Sequence, residues 1–402
     1  MEAIDHPRQD PLALPEDVNA SRASASIDDA TIAPSPARSL TRPVNILIVK
    51  TSAIGDVIHT LPSLWSLRTR FPEAQITWLV EEAAADLLIG HQAVNRVLVT
   101  RRKSWLNDLR SGRVSRALSG FVGFVRELRD TRYDLVIDFQ GLLKSAMWVL
   151  LARGVRKVGF GRGMEHAEYS YLVLNERVSA VDMNQHAIER SLLLLKGMGV
   201  PAADLRYGVP VSAQQESEAA ALLRACGVGE EDRMVAMNPM ARWPTKLWDA
   251  RSFATLADRL EGEGICVVFT GGAQDGPALD EIGRFMTRRH RRLDGRTNLN
   301  QLAALYRRAQ VLVTTDSGPM HLAAAVGTSV VALFGPTAPW RTGPYGSNHV
   351  VLRADVSCSP CFKKECLTTD YEERACMKRL TVDQVEQAVM KKLAAAPLSA
   401  SS

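Results

Sequence analysis

A short apolar run near residue 44 opens the regular part of the chain. Residues 44–49 read V-N-I-L-I-V, and small residues follow at once over positions 51–55. A run of this length and β-branched content is typical of a buried strand. Apolar residues then recur at helical spacing at Leu61, Leu64 and Trp65. The pattern therefore predicts a strand followed by a helix.

The same alternation continues through both halves of the chain. Strand-like runs separated by stretches of helical spacing are typical of a parallel, doubly wound α/β sheet. These runs are 76–80, 97–99, 135–138 and 157–160, then 234–237, 265–270, 311–314 and 330–334. The apolar pattern lapses around 200–207. We therefore predict two α/β domains, 43–205 and 206–380, with a cleft between them.

The two ends of the chain have different patterns. Residues 1–42 contain no Phe, Trp or Tyr, and such a composition buries too little apolar surface to offset the entropy of ordering. We predict that 1–42 form a disordered N-terminal extension. Residues 381–402 are predicted to be a helix and tail, because Thr381 and Gln384 have capping-box spacing and Val385 and Val389 share one face. Such a helix can pack back on the first domain.

Bulk composition limits the possible classes of function. The 402 residues, 46% of them hydrophobic, are enough for two domains with separate cores. A net charge of +5 is too weak to indicate nucleic acid, but it fits anionic small molecules or an acidic membrane surface. No apolar run approaches the roughly 18 residues of a membrane span, and the first residues lack a signal-peptide pattern. We expect a cytoplasmic protein with at most peripheral membrane contact.

One stretch is strongly basic. Residues 101–132 hold nine Arg and Lys residues against three acids, with Trp105, Leu109, Phe121 and Phe124 among them. A basic amphipathic surface of this kind can meet anionic lipid head groups. A solvated helix face without any membrane role is the alternative, because such segments are common.

The first candidate for chemistry is Asp56, in the loop T-S-A-I-G-D after the first strand. Ligands of open α/β sheets lie beyond the carboxyl ends of the strands, so this carboxylate is expected to face the cleft. Aspartate is also a favoured capping residue at a strand-to-helix turn, which is the structural alternative.

A second candidate is the segment T-T-D-S-G-P-M-H-L-A-A-A-V-G, residues 314–327. Ser317 suits a helix cap, Pro319 the first turn and Gly327 the C-terminal end. The free amides of such a helix start bind phosphate, and His321 lies close enough to reach the same phosphate. A structural role for His321 remains the alternative. Asp316 either holds the turn through backbone bonds or accepts from a sugar hydroxyl.

Two further loops follow predicted strands. Arg242 and Lys246 can neutralise a departing diphosphate, although a surface pair is the alternative. The Gly-Gly turn before Asp275 pairs a flexible loop with an acid that can take a ribose hydroxyl. No Asp-x-Asp pair occurs, so the charge of a leaving group is expected to fall on cationic side chains and helix amides. No G-x-x-x-x-G-K-S/T loop occurs, which argues against a P-loop NTPase.

Several motifs taken together resemble glycosyltransferase family 9, the ADP-heptose:lipopolysaccharide heptosyltransferases. They are K-T-S-A-I-G-D-V-I-H-T-L-P, W-L-V-E-E, I-D-F-Q-G-L-L-K-S-A, K-L-W and T-D-S-G-P-M-H-L, in order between residues 44 and 393. The T-S-x-x-G-D and Q-G-L-x-K-S forms are most similar to heptosyltransferase I, which adds the first heptose to Kdo of lipid A. The resemblance implies the GT-B fold, two Rossmann-like doubly wound domains facing across a cleft.

The resemblance also implies roles for single residues. Asp56 matches the catalytic base of an inverting transfer, taking the proton of the acceptor hydroxyl as it attacks the anomeric carbon opposite the departing ADP. The resemblance implies Lys246, Asp275, Asp316, Gly318 and His321 as donor-binding residues, and we add Arg242, Ser317 and Met320 of the same loops to the predicted donor site. The implied acceptor side is Thr51, Ser52, Gly55 and Lys144. One departure is Ala241-Arg242, where heptosyltransferase I tends to carry Thr-Thr, and it could signal a different donor or acceptor.

The implied substrates are ADP-heptose and Kdo2-lipid A or a related lipopolysaccharide core. We expect no cofactor, no catalytic metal and no nucleic-acid partner, and a peripheral position on the inner face of the cytoplasmic membrane. Three alternatives stay open: a heptosyltransferase of a later core step or another acceptor, a sugar-nucleotide epimerase of the same fold, and a non-catalytic sugar-nucleotide-binding protein.

Four cysteines lie within nineteen residues. Cys358, Cys361, Cys366 and Cys376 have the spacing C-x2-C-x4-C-x9-C. Four thiolates with a C-x-x-C start suit a structural zinc site, although the spacing is not that of a standard finger. Free or reversibly paired thiols are the alternative.

Overall fold

A computed structural model describes residues 44–164 and 168–395. The predicted disordered extension, 1–42, lies outside the described residues. In the described part of the chain, the strands form two separate parallel sheets of six strands each.

The first sheet has the strand order β3-β2-β1-β4-β5-β6. Its central strand β1 is buried on both faces, as an apolar strand covered by helices on both sides should be. The strands are β1 Asn45–Val49, β2 Gln75–Glu81, β3 Arg96–Thr100, β4 Tyr133–Asp138, β5 Gly154–Phe160 and β6 Glu176–Val178. The helices are α1 Ile54–Arg70, α2 Arg102–Arg110, α3 Val114–Arg129, α4 Leu143–Leu151 and α5 Ala187–Gly197.

The second sheet repeats this order. It runs β12-β11-β10-β7-β8-β9, which is the same sequence of neighbours counted from β7. The strands are β7 Met234–Asn238, β8 Cys266–Phe269, β9 Arg291–Arg292, β10 Val311–Thr315, β11 Ser329–Phe334 and β12 His349–Arg353. The helices are α6 Ala213–Ala225, α7 Ala250–Gly262, α8 Gly276–Phe285, α9 Leu299–Arg308, α10 Gly318–Ala325, α11 Pro339–Thr342, α12 Ala375–Lys378 and α13 Val382–Ala395.

This strand order creates one switch point in each sheet. In the first sheet β1 pairs on one side with β2 and on the other with β4, so Ile48 lies between Trp78 and Ile137. In the second sheet β7 and β10 are the corresponding pair, with Met237 opposite Val313. Ligands of doubly wound sheets bind in the crevice beyond such strands. The loops after β1, β4, β7 and β10 therefore define the candidate site.

The two sheets are joined by packing between α1 and α10. A Cβ atom added to Gly318 would lie 3.3 Å from Ile54 Cβ, so the starts of the two helices are in close contact. The hydrophobic cluster beneath them includes side chains from both halves, among them Ile58 and Leu61 of α1 and Met320 and Leu322 of α10. The base of the predicted cleft is therefore formed by apolar side chains from both domains.

The predicted strands are present, and the predicted two-domain α/β architecture is confirmed. Strands β6, β9 and β12, all at sheet edges, were not predicted: β6 and β9 are only three and two residues long, and β12 is partly exposed along its whole length. The predicted boundary near residue 205 stays a prediction; residues 198–212 contain neither helix nor strand.

Helix α13 packs on the second sheet, not on the first domain. Its Val385, Val389 and Leu393 belong to the same buried cluster as Phe253 and Leu256 of α7. Thr381 and Gln384 form the predicted capping box: Thr381 N–H donates to Gln384 Oε1 at 3.0 Å, and Gln384 N–H to Thr381 Oγ1 at 3.2 Å.

The basic stretch forms α2 and α3, and its aromatic residues face inward. Trp105, Phe121 and Phe124 pack around Trp148, with ring centroids 5.0–6.3 Å apart. The apolar side chains that face outward are instead Leu106, Leu109, Val114 and Leu118. Among the described residues, no helix is both long enough and apolar enough to cross a membrane.

Candidate functional site

The loop after β1 is held in place by the loop after β4. Gln140 Oε1 accepts from the backbone N–H groups of Thr51 at 3.1 Å and Ser52 at 3.2 Å. Lys50 Nζ donates to the Phe139 carbonyl at 3.0 Å. These bonds tie the two sides of the switch point together, so the loop that precedes Asp56 has a defined shape.

Asp56 is the third residue of α1 and is half-buried. Its Oδ2 accepts from the backbone N–H of Ala53 at 2.9 Å, which is the capping role weighed as the alternative. The other carboxylate oxygen accepts no hydrogen bond from the described residues. The same side chain can therefore cap the helix with one oxygen and accept a substrate proton with the other.

Two cations lie near Asp56 on the first domain. Lys144 donates from Nζ to Ser52 Oγ, and Arg190 donates to the carbonyls of Met183 and Gln185, each at 2.8 Å. Burial lowers the pKa of both cations, and the Asp56 carboxylate opposes that shift in each. The sequence analysis missed Arg190, because nothing in its local pattern separates it from an ordinary arginine in a helix.

The residues predicted at the start and end of α10 take their expected positions, but the predicted side-chain cap of Ser317 is not formed. Ser317 is the N-cap residue, Pro319 lies in the first turn, and Gly327 adopts φ +90° just past the helix end. The Ser317 hydroxyl does not cap the helix; it lies 3.3 Å from Thr314 Oγ1. The amides at the start of α10 thus have no side-chain acceptor on Ser317, as an anion-binding helix start requires.

Lys246 and Asp316 form a pair at the end of β10. Lys246 Nζ donates to Asp316 Oδ2 at 2.6 Å and lies 4.7 Å from the centre of the Trp243 ring. Thr337 Oγ1 donates to the same oxygen at 2.7 Å. Both charged side chains are largely buried. Asp316 thus forms an ion pair with Lys246. The sequence had suggested only that Asp316 holds the turn or accepts from a sugar hydroxyl.

His321 connects α10 to α1. Its Nδ1 lies 3.0 Å from Nε2 of His59, and both rings are buried. Burial lowers the pKa of both histidines, and it lowers that of His59 the most strongly of its several causes. The Cδ2–Nε2 edge of the His321 ring lies against Gly55, where an added Cβ would be 2.5 Å from Cδ2. Burial therefore favours the neutral form of both rings, and each ring packs closely against the other helix.

The remaining predicted donor residues differ in position. Arg242 is exposed in the loop after β7. Asp275 follows β8, and its Oδ2 accepts from Gly272 N–H at 2.7 Å. Met320 corrects the prediction: its side chain is fully buried in the hydrophobic core and does not face the cleft. A residue beside a binding motif faces the core whenever helical geometry turns it inward.

The segment 358–376, which carries the four clustered cysteines, supports the turn that carries Lys246. Thr245 Oγ1 donates to the Lys363 carbonyl at 2.8 Å, and Arg374 Nη1 to the Leu247 carbonyl at 3.4 Å. Burial, followed by the neighbouring Cys358, Cys361 and Cys366, raises the pKa of Cys376 to about 11. Within 44–164 and 168–395, no three His, Cys, Asp or Glu side chains are arranged to hold a metal ion.

Comparison with known proteins agrees with this geometry. The model of glycosyltransferase family 9 (heptosyltransferase) matches residues 122–372. Lipopolysaccharide heptosyltransferase 1 of Pseudomonas aeruginosa is 33% identical, over 82% of this chain and 89% of that protein. Its namesake in Escherichia coli K12 is 31% identical, over 77% of this chain and 94% of that protein.

Solved structures agree as well. E. coli heptosyltransferase WaaC with ADP is 26% identical and has a TM-score of 0.69, covering 87% of this chain and 99% of that one. The structure of E. coli ADP-heptose lps heptosyltransferase II is 25% identical and has a TM-score of 0.68, with the same two coverages. The predicted family resemblance and the predicted GT-B fold are both confirmed. The chain belongs to glycosyltransferase family 9, the heptosyltransferases.

Proposed function

We propose that this protein transfers heptose from ADP-heptose to the Kdo of lipid A, the first heptose addition of the lipopolysaccharide inner core. The relatives named lipopolysaccharide heptosyltransferase 1, at 30–33% identity, support this step. The observation that carries the proposal is the position of Asp56, which has one unengaged carboxylate oxygen and lies on the helix that meets the start of α10.

Asp56 is the general base of the reaction. Its unengaged oxygen takes the proton of the acceptor hydroxyl as that hydroxyl attacks the anomeric carbon from the face opposite ADP. The bond to Ala53 N–H keeps the carboxylate in one orientation. Proton transfer by a positioned carboxylate contributes on the order of 10²–10⁴ in rate.

The second domain receives the charge of the departing ADP. Lys246 and the amides at the start of α10 surround the space beyond β7 and β10, and Arg242 is free to fold over it from the exposed loop. Asp275 lies beyond β8, where it can accept from a ribose hydroxyl. Fixed donors aimed at the developing charge lower the barrier without any reorganisation cost.

The first domain holds the acceptor. Thr51, Ser52 and Gly55 form the floor beside Asp56, and Lys144 and Arg190 supply positive charge there. An acceptor sugar that carries a carboxylate is attracted to these two cations. We propose that the transfer requires no metal, because the sequence has no Asp-x-Asp pair to hold a divalent ion against the diphosphate, and Lys246, Arg242 and the amides at the start of α10 can take up the charge of the leaving group instead.

We further propose that α2 and α3 rest on the inner face of the cytoplasmic membrane. Leu106, Leu109, Val114 and Leu118 are 40–59% exposed, and Arg110 is exposed beside them. Apolar side chains flanked by arginines suit an anionic lipid surface. Sedimentation with vesicles tests this: the protein should bind vesicles containing anionic lipid, and the Leu109→Ser/Leu118→Ser variant should stay in solution.

The deciding experiment is transfer by the purified protein from ADP-heptose to Kdo2-lipid A, run beside a heptosylated core acceptor, with and without chelator. We expect product on Kdo2-lipid A, undiminished by chelator. The Ala241-Arg242 departure favours one second candidate, a later core step or another acceptor, and product only on the heptosylated core would assign that function. If the protein isomerised the donor and transferred heptose to neither acceptor, both proposed transfer functions would be wrong and the protein would be an epimerase.

A further inference from the structure

A buried polar contact between the two domains is formed by a pair of histidines. His59 of α1 is 4% exposed and His321 of α10 is 8% exposed, and their ring centroids lie 4.3 Å apart. His59 lies three residues after Asp56, so both side chains are on the same face of α1. The helix that carries the proposed base is therefore hydrogen-bonded to the helix that meets the proposed donor.

The direction of this hydrogen bond follows from a proton count. Burial lowers the pKa of both rings and so favours their neutral forms, and His321, His186, Lys50 and Arg190 further disfavour a proton on His59. Asp316 and Asp56 oppose this shift for His321, whereas Lys246 adds to it. One proton therefore lies between His59 Nε2 and His321 Nδ1.

Only one of the two placements of that proton avoids a buried, unbonded donor. His59 Nδ1 is buried and has no hydrogen-bond partner in the described residues. If His321 donated, His59 would carry its proton on Nδ1, an N–H with no acceptor, which is costly. If His59 donates from Nε2, its Nδ1 is only an unused acceptor, and His321 carries its proton on Nε2. We assign this second arrangement from the network.

We propose that His59 is a positioning residue: its Nε2–H donates to His321 Nδ1 and so presents His321 Nε2–H beside Gly55 and the loop of Asp56. The proposal rests on the proposed function. This hydrogen bond orients the donor-side imidazole and sets the distance between α1 and α10 in one contact. His186 adds a second bond across the same boundary, from Nε2 to the Gly343 carbonyl at 3.0 Å.

Three substitutions at His59 test this role through the identity of the donor atom. The amide nitrogen of Gln reaches about as far as Nε2 of histidine, that of Asn only as far as Nδ1, and Phe keeps the ring without a donor. His59→Phe and His59→Asn should lower kcat about ten-fold, the size of one buried hydrogen bond, and His59→Gln should stay within about three-fold of the unmodified protein. The affinity of each of the three variants for ADP, measured by calorimetry, should differ less than about two-fold from that of the unmodified protein.

A matched control is His91→Phe. His91 is also buried and bonds the Tyr207 carbonyl at 2.8 Å, but it has no contact with His321. This variant should lose stability without losing kcat. Equal kcat for His59→Gln and His59→Asn, or an unchanged kcat in His59→Phe, would overturn the proposal; the Gln and Asn pair keeps the test valid if the Phe variant does not fold.

A second measurement does not depend on the substrate. Nitrogen NMR of protein labelled in histidine, with His321→Gln to identify the signals, should show His321 with its proton on Nε2 and a bonded, unprotonated Nδ1. His59→Phe should shift that Nδ1 signal to the unbonded value. A proton on His321 Nδ1 would overturn the inference even if the enzyme is active, and an inactive enzyme with the expected spectrum would count against the proposed function alone.

Discussion

Asp56 shows how one side chain serves structure and chemistry together. Its Oδ2 accepts from Ala53 N–H at the start of α1, and an acid in the first helical turn is favoured by the helix dipole. The second oxygen faces no donor in the described part of the chain. Asp56 can therefore cap the helix and act as the base at the same time. A substitution that tests the catalytic role has to keep the cap and remove only the ability to take a proton.

Asp56→Asn separates the two roles. The amide oxygen of Asn can still accept from Ala53 N–H, but it cannot take a proton, so kcat should fall at least about a hundred-fold while ADP affinity stays nearly unchanged. The measurement is initial rates together with calorimetry of ADP. Asp134→Asn is the control, because Asp134 accepts from the backbone of Val44 and Asn45 outside the cleft. Comparable transfer by Asp56→Asn would exclude it as the base.

Lys246 also has a structural role and a proposed functional role, because it pairs with the buried Asp316 and is proposed to bind ADP. Lys246→Met removes a cation that ADP needs and leaves a buried carboxylate behind, so it should lower ADP affinity and also cost about 3 kcal/mol of unfolding free energy. Lys246→Met/Asp316→Asn should recover most of that stability without recovering ADP binding. Urea unfolding and calorimetry measure the two effects. Restored ADP binding in the double variant would mean that the lysine does not contact the donor.

At the scale of helices, α1 and α10 approach so closely that a side chain at Gly55 would clash with the neighbouring helix. A Cβ at Gly55 would lie 2.5 Å from His321 Cδ2, whereas one at Gly318 would lie 3.3 Å from Ile54 Cγ2, a tight contact that a small shift could relieve. Neither glycine has a positive φ. The requirement for glycine at Gly55 therefore comes from the neighbouring helix and not from the backbone.

Gly55→Ala tests this contact. Alanine is the better helix former by roughly 1 kcal/mol, so an uncontacted glycine in a helix should gain stability from the change. At Gly55 the clash should push His321 away, lowering both kcat and the melting temperature. Gly123→Ala is the matched control, because Gly123 lies in α3 with nothing within 4 Å of an added Cβ. If Gly55→Ala and Gly123→Ala both became more stable and stayed active, the close contact between Gly55 and His321 would not constrain the two helices.

At the scale of the whole molecule, buried histidines couple the fold to pH. Burial is the first cause that lowers the pKa of five described histidines, which are His59, His91, His290, His321 and His349. That of His349 is lowered to about 4. Unfolded histidine titrates near 6.5, so below that pH the unfolded chain takes up protons that the native protein refuses.

Stability should therefore be complete above about pH 6.5 and fall as the pH drops from there through the lowered native pKa values. Melting temperatures between pH 8 and pH 5 measure the effect. His349→Asn should make the slope shallower by up to about 1.4 kcal/mol per pH unit, because the amide oxygen of Asn reaches about as far as Nδ1 and can still accept from Val330 N–H, as His349 Nδ1 does at 3.2 Å, without binding a proton. A stability independent of pH over this range would show that these rings are solvated.

Much of the fold could be predicted because its signals are local. The apolar runs of the central strands, the cap residues around α10 and the capping box of α13 each depend on residues a few positions apart. The edge strands β6 and β9 could not, because three and two residues are too few to form a pattern. Strand β12 has a Val-Val-Leu run but is partly exposed along its whole length, and the edge strand β3 was predicted. Composition also left open how the aromatic residues of α2 and α3 are directed, and the structure packs them inward around Trp148.

By itself, the sequence determined the alternation of strands and helices, the loops that carry polar groups, and the family motifs. Only the tertiary structure decided which of those groups meet. The order of strands brings the ends of β1, β4, β7 and β10 to two facing switch points, and packing between α1 and α10 then joins His59 to His321. It also turned Met320 into the core and Asp316 toward Lys246. The physical reason is range: hydrogen bonds and side-chain contacts act over a few ångströms, and residues distant in sequence come within that range only when the whole chain is folded.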